Sequence, residues 1–362
     1  MAPPVISRMI ALAALSMLPC PTPAQRGGLP AGHDYTIHGF RFADGETLAD
    51  LRIHYLALGT ARRDAAGRVR NAVLILHGTT GAGSGFMSQT YGGQLFGPGQ
   101  LLDTTRYFVV LPDGIGHGGS SKPSDGLHAR FPKYTYDDMV DAQHELLTKG
   151  LGVNHVLLVM GTSMGCMHSW VWGERYPDFA DGLVPLACIP SPIAGRNRMM
   201  RTMIMDAIRN DPGYNGGDYT TQPAGLRDAM GLMYIMSSAP RVQHRQAPTR
   251  DQADSIIRAY LDQSVKTHDG NDVIYAFNAS RDYDPSSKLG KITARVLAIN
   301  SADDFVNPPE LGIVDTLIKR VKNGTFVLLP ITDQTRGHGT HSLPAVWGHY
   351  LADFLKTLPP TN

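Results

Sequence analysis

Six short runs rich in Val, Leu and Ile recur along this chain, and they constrain its fold more than any other feature. The runs are AVLILH at 72–77, YFVVLP at 107–112, HVLLVM at 155–160, LVPLAC at 183–188, RVLAIN at 295–300 and TFVLL at 325–329. Apolar runs that do not alternate with polar residues are typical of strands buried on both faces. Helical patterns at 136–149, 164–176, 309–321 and 343–355 separate most of the runs. The repetition predicts an α/β fold, in which a mostly parallel sheet is flanked by helices.

Two segments depart from this repetition. Residues 34–42 and 51–58 alternate more between apolar and polar side chains, so we expect an antiparallel pair at the edge of the sheet. Residues 191–285 are helical in pattern and rich in Met and Arg. A helical insertion between two strands is expected to cap the carboxyl edge of the sheet, where open α/β sheets bind ligands. The predicted core then comprises residues 25–190 and 286–362.

We interpret residues 1–24 as a signal peptide. Arg8 precedes an apolar stretch at 9–18, and a run of Pro and small residues suited to cleavage follows. The apolar stretch is too short to span a bilayer, and no later segment reaches the length that a membrane-spanning helix requires. We therefore expect a secreted or periplasmic protein. The alternative is an N-terminal segment that is disordered or packs in the core.

Loss of the leader would remove Cys20 and leave Cys166 and Cys188. An oxidising compartment permits one disulfide between them. Both cysteines lie in apolar segments, which favours two buried free thiols instead.

The charge balance excludes some classes of partner. The 362 residues include 33 Lys and Arg against 32 Asp and Glu, a formal net charge of +1. Nucleic-acid binding needs a basic face to offset phosphate charge, so we expect no nucleic-acid partner. No Cys/His cluster has the spacing of a metal site, and we expect neither a metal nor a cofactor.

The run at 155–160 leads into Gly161-Thr162-Ser163-Met164-Gly165, and a helical pattern follows directly. In that strand-turn-helix context the pattern is a nucleophile elbow, a tight turn that holds the serine hydroxyl clear of the sheet. The alternative is a glycine-rich turn that opens a helix and carries a surface serine. We predict that Ser163 is the nucleophile.

A serine nucleophile needs a base, which an acid orients in turn. Asp303 and Asp304 follow the run at 295–300, and His338 and His341 follow the run at 325–329. The order Ser, Asp, His is the one found in hydrolases with this elbow. We assign Asp304 and His338, with Asp303 and His341 as open alternatives.

An oxyanion that forms on the substrate needs two hydrogen-bond donors. One is normally the amide that follows the nucleophile, here Met164. We assign the second donor to the amide of Thr79, in the loop that follows His77-Gly78. The glycines at 81, 83 and 85 lack the Lys-Ser/Thr ending of a phosphate-binding loop, so they are weak evidence for a nucleotide.

With these residues placed, the chain resembles the α/β-hydrolase superfamily and, more narrowly, the homoserine O-acetyltransferase family. Besides the elbow, the matching motifs are Tyr176-Pro177-Asp178, Asp211-Pro212 through Gly217-Asp218-Tyr219 to Gly225-Leu226, Asn278 through Asp284, Asp304 with Pro308-Pro309, and Gly337-His338. The resemblance covers nearly all of the mature chain. It implies an α/β-hydrolase fold with a Ser-Asp-His triad, and a homodimer formed through the cap.

Three departures separate the chain from that family. The family usually has an arginine shortly after Gly225-Leu226, where this chain reads Ala229-Met230-Gly231, and an Asp after the catalytic His, where this chain has Gly339. A pocket that recognises an amino acid's charges needs charged partners. The third departure is the leader, because acetyl-CoA is a cytoplasmic metabolite.

The departures favour a serine ester hydrolase acting on a small-molecule ester. An O-acyltransferase that uses the same acyl-enzyme is the alternative, and a binding protein on a hydrolase scaffold is a third hypothesis. The cap shows no obvious charged anchor, which favours an apolar, uncharged ester.

Overall fold

The computed structural model describes residues 30–361, which contain one eight-stranded sheet. Its strands are β1 His33–Arg41, β2 Thr47–Leu58, β3 Ala72–Leu76, β4 Phe108–Pro112, β5 Val156–Thr162, β6 Ala180–Leu186, β7 Arg295–Ser301 and β8 Gly324–Leu329. Their spatial order is β1-β2-β4-β3-β5-β6-β7-β8. The strands β1, β2 and β4 pair antiparallel, and all other neighbours pair parallel. The predicted α/β fold and its antiparallel edge are confirmed, whereas the predicted leader lies outside the described residues.

Helices connect the strands and cover both faces of the sheet. They are α1 Gly92–Leu95, α2 Tyr136–Glu145, α3 Met164–Arg175, α4 Gly195–Arg209, α5 Gly225–Ser237, α6 Pro240–Gln246, α7 Arg250–Thr267, α8 Gly270–Asn278, α9 Ile313–Leu317 and α10 Pro344–Leu355. Helices α4 to α8 all lie between β6 and β7, in the segment predicted as the cap. Among the described residues, no helix combines the length and the apolar character needed to cross a membrane.

The central strands are buried on both faces, as their apolar runs predict, whereas the run at 325–329 forms the edge strand β8, in which only Leu329 is buried. Every residue of β3 is buried. Successive side chains of a strand point to opposite faces. Accordingly, Leu74 belongs to the apolar cluster that contains Trp170 of α3, and Ile75 to the cluster that contains Trp347 of α10.

The single helix predicted over 309–321 is wrong. That segment forms short turns at Pro309–Leu311 and Ile318–Arg320 on either side of α9. Gly312 separates the first turn from α9 with a φ of +61°, in the left-handed region that interrupts a helix.

Cys166 and Cys188 form a disulfide, with their Cα atoms 5.8 Å apart. The expectation of two free thiols is therefore wrong. The physical reason is strand register. Because Thr162 at the end of β5 pairs with Leu186 at the end of β6, the first turn of α3 lies beside the residues that follow β6.

Candidate active site

Ser163 lies at a sharp turn between β5 and α3. Its backbone has φ 53° and ψ −107°, a conformation that L residues rarely adopt. A Cβ on Gly161 would overlap the carbonyl of Gly165, and one on Gly165 would overlap the carbonyl of Leu76. The two glycines therefore allow the close packing of α3 against β3 and β5 that the turn requires.

The turn brings Ser163 into a continuous path of hydrogen bonds. The Ser163 hydroxyl lies 2.8 Å from Nε2 of His338, and Nδ1 of that imidazole lies 2.9 Å from Oδ2 of Asp304. Facing a carboxylate, Nδ1 carries the proton, so Nε2 accepts from the serine. A serine that donates to an imidazole held by a carboxylate is poised to lose its proton and act as a nucleophile.

Asp304 is 2% exposed and is held by its own loop. Its Oδ1 accepts from the amides of Val306 at 2.8 Å and Asn307 at 3.2 Å, and its Oδ2 accepts from the Asn307 side chain. Burial raises the pKa of Asp304, but the neighbouring His338 and the donors from Asn307 outweigh it and hold the pKa below its usual value. The carboxyl group is therefore ionised at neutral pH.

The neighbouring Asp303 has different partners. It accepts from the hydroxyls of Ser301 and Thr335, the latter at 2.9 Å. It thus connects the loop after β7 to the loop that carries His338. Of the two candidate acids, only Asp304 contacts His338.

The second candidate histidine, His341, stands edge-on to His338, with ring centroids 5.2 Å apart. Desolvation and the adjacent His338 lower the pKa of His341 to about 3. It is therefore a neutral side chain at neutral pH, and it lies in the wall of the cavity.

The loop after β3 lies against Ser163. A Cβ on Gly78 would be 3.4 Å from Cβ of Ser163. No described residue accepts a hydrogen bond from the amides of Thr79 or Met164, the two predicted oxyanion donors. These amides are therefore available to a bound group.

A residue that the sequence analysis did not single out, His77, fixes this loop. Its Nδ1 donates to the carbonyl of Gly78 at 2.8 Å, and its Nε2 accepts from the amide of Gly114 at 2.9 Å. Burial lowers the pKa of His77, so the ring stays neutral and can make both bonds at once. A histidine directly after a buried strand and before a glycine was the available signal.

Core loops and cap helices together line a cavity of about 340 Å³ in front of Ser163. Thr79 and His338 come from the core, and Met233, Met236 and Phe277 come from α5 and α8. Arg201 of α4 also lies in the wall. The expectation of a cap without a charged anchor is therefore wrong.

Arg201 was missed because it is an arginine on the apolar face of its helix. It occupies that face with Ile204, Met205 and Ile208, which are all buried. Arginine in an amphipathic helix is normally assigned to the solvated face. The helical spacing of Arg201 with these apolar residues was the signal that could have placed it inside.

Three comparisons with known proteins relate this site to others. A family model described as the alpha/beta hydrolase fold matches residues 71–316. A homoserine O-acetyltransferase from Pelobacter propionicus is 34% identical over 309 residues, 75% of this chain and 81% of that protein. A probable acyltransferase from Methanothermobacter thermautotrophicus is 29% identical over 287 residues, 79% of this chain and 86% of that protein.

A solved structure agrees with the fold. The acetylester hydrolase from Corynebacterium glutamicum superposes with a TM-score of 0.79 at 20% identity, covering 90% of this chain and 96% of that one. Proteins similar to this chain thus carry names of both transferases and hydrolases.

Proposed function

Because this chain belongs to the α/β-hydrolase family, we propose that it is a serine hydrolase that cleaves a carboxylic ester of a small molecule. The observation that carries the proposal is the path of hydrogen bonds from Asp304 through His338 to Ser163, which ends at a cavity. Fold alone does not imply activity, whereas this arrangement of a nucleophile, a base and an acid has a defined chemistry.

In the first half of the reaction, Oγ of Ser163 attacks the ester carbonyl carbon while its proton passes to Nε2 of His338. The amides of Thr79 and Met164 donate to the oxyanion of the tetrahedral intermediate. Asp304 stabilises the imidazolium that forms. The intermediate then collapses: the bond from carbon to the alcohol oxygen breaks, and His338 returns its proton to that oxygen. The alcohol leaves, and the acyl group stays on Ser163.

In the second half, water takes the place of the alcohol. His338 removes a proton from the water as its oxygen attacks the acyl carbon. Collapse of the second intermediate breaks the bond to Oγ, and the proton on His338 returns to Ser163. The products are a carboxylic acid and the free enzyme.

Acyl transfer to an alcohol is the second candidate, and the 34% identity to a homoserine O-acetyltransferase favours it. Hydrolysis is supported instead at the two places where the homoserine O-acetyltransferase family usually has an arginine and an aspartate. Ala229 and Met230 of α5 are fully buried and uncharged, so neither supplies the charge of the family's arginine. Gly339, directly after His338, carries no side chain.

A competition between water and alcohols separates the two reactions. We expect the purified protein to release acetate from p-nitrophenyl acetate at a rate that added homoserine does not change. Ser163→Ala should release none above background. Formation of O-acetylhomoserine in preference to acetate would overturn hydrolysis and establish the transferase.

We also propose that the protein functions outside the cytoplasm, in the periplasm or as a secreted enzyme. The Cys166–Cys188 disulfide supports this location, because structural disulfides are rare where thiols are kept reduced. Native protein should show no alkylatable thiol at either position, and its N-terminus should lie near residue 25. Two free thiols in the natively isolated protein, with an intact leader, would contradict the proposal.

A further inference from the structure

Arg201 is a charged side chain in the cavity wall that the proposed chemistry does not use. It is 2% exposed, although the cavity reaches it. Its Nε donates to Oδ1 of Asn197 at 2.9 Å, and its Nη1 donates to Oγ of Ser280 at 3.2 Å. Both partners are neutral.

The guanidinium has no counter-ion. Among residues 30–361, no carboxylate forms an ion pair with Arg201. Arg175 shows the usual arrangement: half-buried on α3, it pairs with Asp137 at 2.9 Å and with Asp141 at 2.6 Å. Because burial of a charge is unfavourable unless the charge is paired, Arg201 is an exception that needs an explanation.

The aromatic neighbours do not supply the missing charge. The Phe277 ring lies 5.4 Å from the guanidinium carbon, close enough for a weak cation–π contact. The Tyr136 hydroxyl is buried beside Arg201, Ser280 and Thr79, but it forms no well-aligned hydrogen bond with a described residue. Burial raises the pKa of Tyr136 although the charge of Arg201 lowers it, so the phenol is neutral at neutral pH.

One end of the guanidinium is free for a ligand. Nη2 donates to no described residue, and the side chain borders the cavity that contains Ser163. A guanidinium presents its donors in a planar fork that matches a carboxylate. The neutral contacts of Nε and Nη1 hold that fork in place without neutralising it.

We propose that the ester cleaved at Ser163 carries a carboxylate, and that Arg201 binds it as a specificity-determining residue. The inference rests on the proposed function, since it names the class of substrate for that site. The cavity of about 340 Å³ suits a small molecule, whose carboxylate and scissile ester would lie in the same space.

The carboxylate could belong to either half of the ester, so the experiment has two arms. Monomethyl succinate carries it on the acyl side, and 2-acetoxypropanoate carries it on the alcohol side. Each is compared with its neutral primary amide, which has nearly the same size. The quantity measured is the ratio of kcat/KM for the acid to kcat/KM for the amide.

In at least one arm we expect this ratio to exceed about ten, the discrimination typical of a hydrogen-bonded ionic contact. Arg201→Met should lower this ratio roughly tenfold to a hundredfold. Arg201→Lys keeps the charge but loses the planar fork of donors, so its ratio should lie between those of wild type and Arg201→Met. Arg209→Met serves as the matched control, because Arg209 lies on the exposed face of the same helix. Circular dichroism checks that each variant is folded.

A ratio near one in both arms, or a ratio that Arg201→Met leaves unchanged, would overturn the inference while ester hydrolysis itself stands. If wild type cleaves no ester, the proposed function fails, and binding decides the inference separately. Monomethyl succinate or 2-acetoxypropanoate should then bind the Ser163→Ala protein at least about tenfold more tightly than it binds Ser163→Ala/Arg201→Met. Equal binding of both compounds to the two variants would overturn it.

Discussion

Asp303 and Asp304 are adjacent in the chain, yet their carboxylates have different partners. Asp304 accepts from His338, and its loop supplies three further donors. Asp303 accepts from Ser301 and Thr335 and does not contact the imidazole. The first carboxylate therefore orients the proposed base, and the second connects two loops.

Substituting each of the two aspartates in turn tests which one orients His338. Asp304→Asn should lower kcat about ten-thousandfold, because an amide favours the wrong tautomer of His338 and does not stabilise an imidazolium. Asp303→Asn should cost much less, since an amide oxygen still accepts from Thr335. Ester hydrolysis by both variants checks this, and equal losses would contradict the assignment of Asp304.

Among the secondary-structure elements, the junction of β5 and α3 is the one on which the site depends most. Ser163 adopts its positive φ because α3 begins at the next residue, and α3 approaches β3 closely at Gly165. The packing of a helix against a strand thus sets the orientation of one hydroxyl.

Gly165→Ala tests this packing. Its methyl group would overlap the carbonyl of Leu76, so we expect a loss of about 1–3 kcal/mol in the free energy of unfolding, together with reduced activity. Gly231→Ala on α5 is the control: its methyl group would meet only Leu261, at 3.7 Å, and should stabilise the helix by about 0.5–1 kcal/mol. Urea unfolding measures both. If Gly165→Ala changed neither the free energy of unfolding nor the activity, α3 could shift without affecting the site, which would contradict this account.

The elements also show what sequence patterns can and cannot predict. Buried parallel strands have a distinctive apolar signature, and Gly161 and Gly165 mark the elbow, so the sheet and the position of Ser163 follow from the sequence. The break at Gly312 was missed because one glycine is tolerated in many helical patterns. The disulfide depends on the register of β5 and β6, and the environment of Arg201 on how α4 packs. Both depend on contacts between segments that are distant in the chain, which local sequence patterns do not predict.

The whole molecule contains buried histidines whose protonation opposes folding. Among the described residues, His77, His117 and His168 are at most 5% exposed. Burial lowers the pKa of each, that of His117 to about 3. In the unfolded chain the same rings titrate near 6.5. Below that pH the unfolded state therefore binds more protons than the folded state, and stability falls.

Above pH 6.5 we expect the free energy of unfolding to be at its full value with respect to these histidines. It should decrease as the pH falls toward 5. Each neutral buried histidine contributes a slope approaching about 1.4 kcal/mol per pH unit. Urea unfolding at several pH values measures the slope. His117→Asn should reduce this slope by the contribution of one histidine. A free energy of unfolding that does not change from pH 7 to 5 would contradict the neutral burial of these rings.

The central claim is that Ser163 is an activated nucleophile, and covalent labelling tests it most directly. The protein is treated with a fluorophosphonate, and the labelled peptide is mapped by mass spectrometry. Ser163→Ala and Ser237→Ala are compared, because Ser237 also lines the cavity but donates to the carbonyl of Met233. We predict one label on Ser163 in wild type and in Ser237→Ala, and none in Ser163→Ala. No label in folded wild type, or a label that persists in Ser163→Ala, would contradict the account.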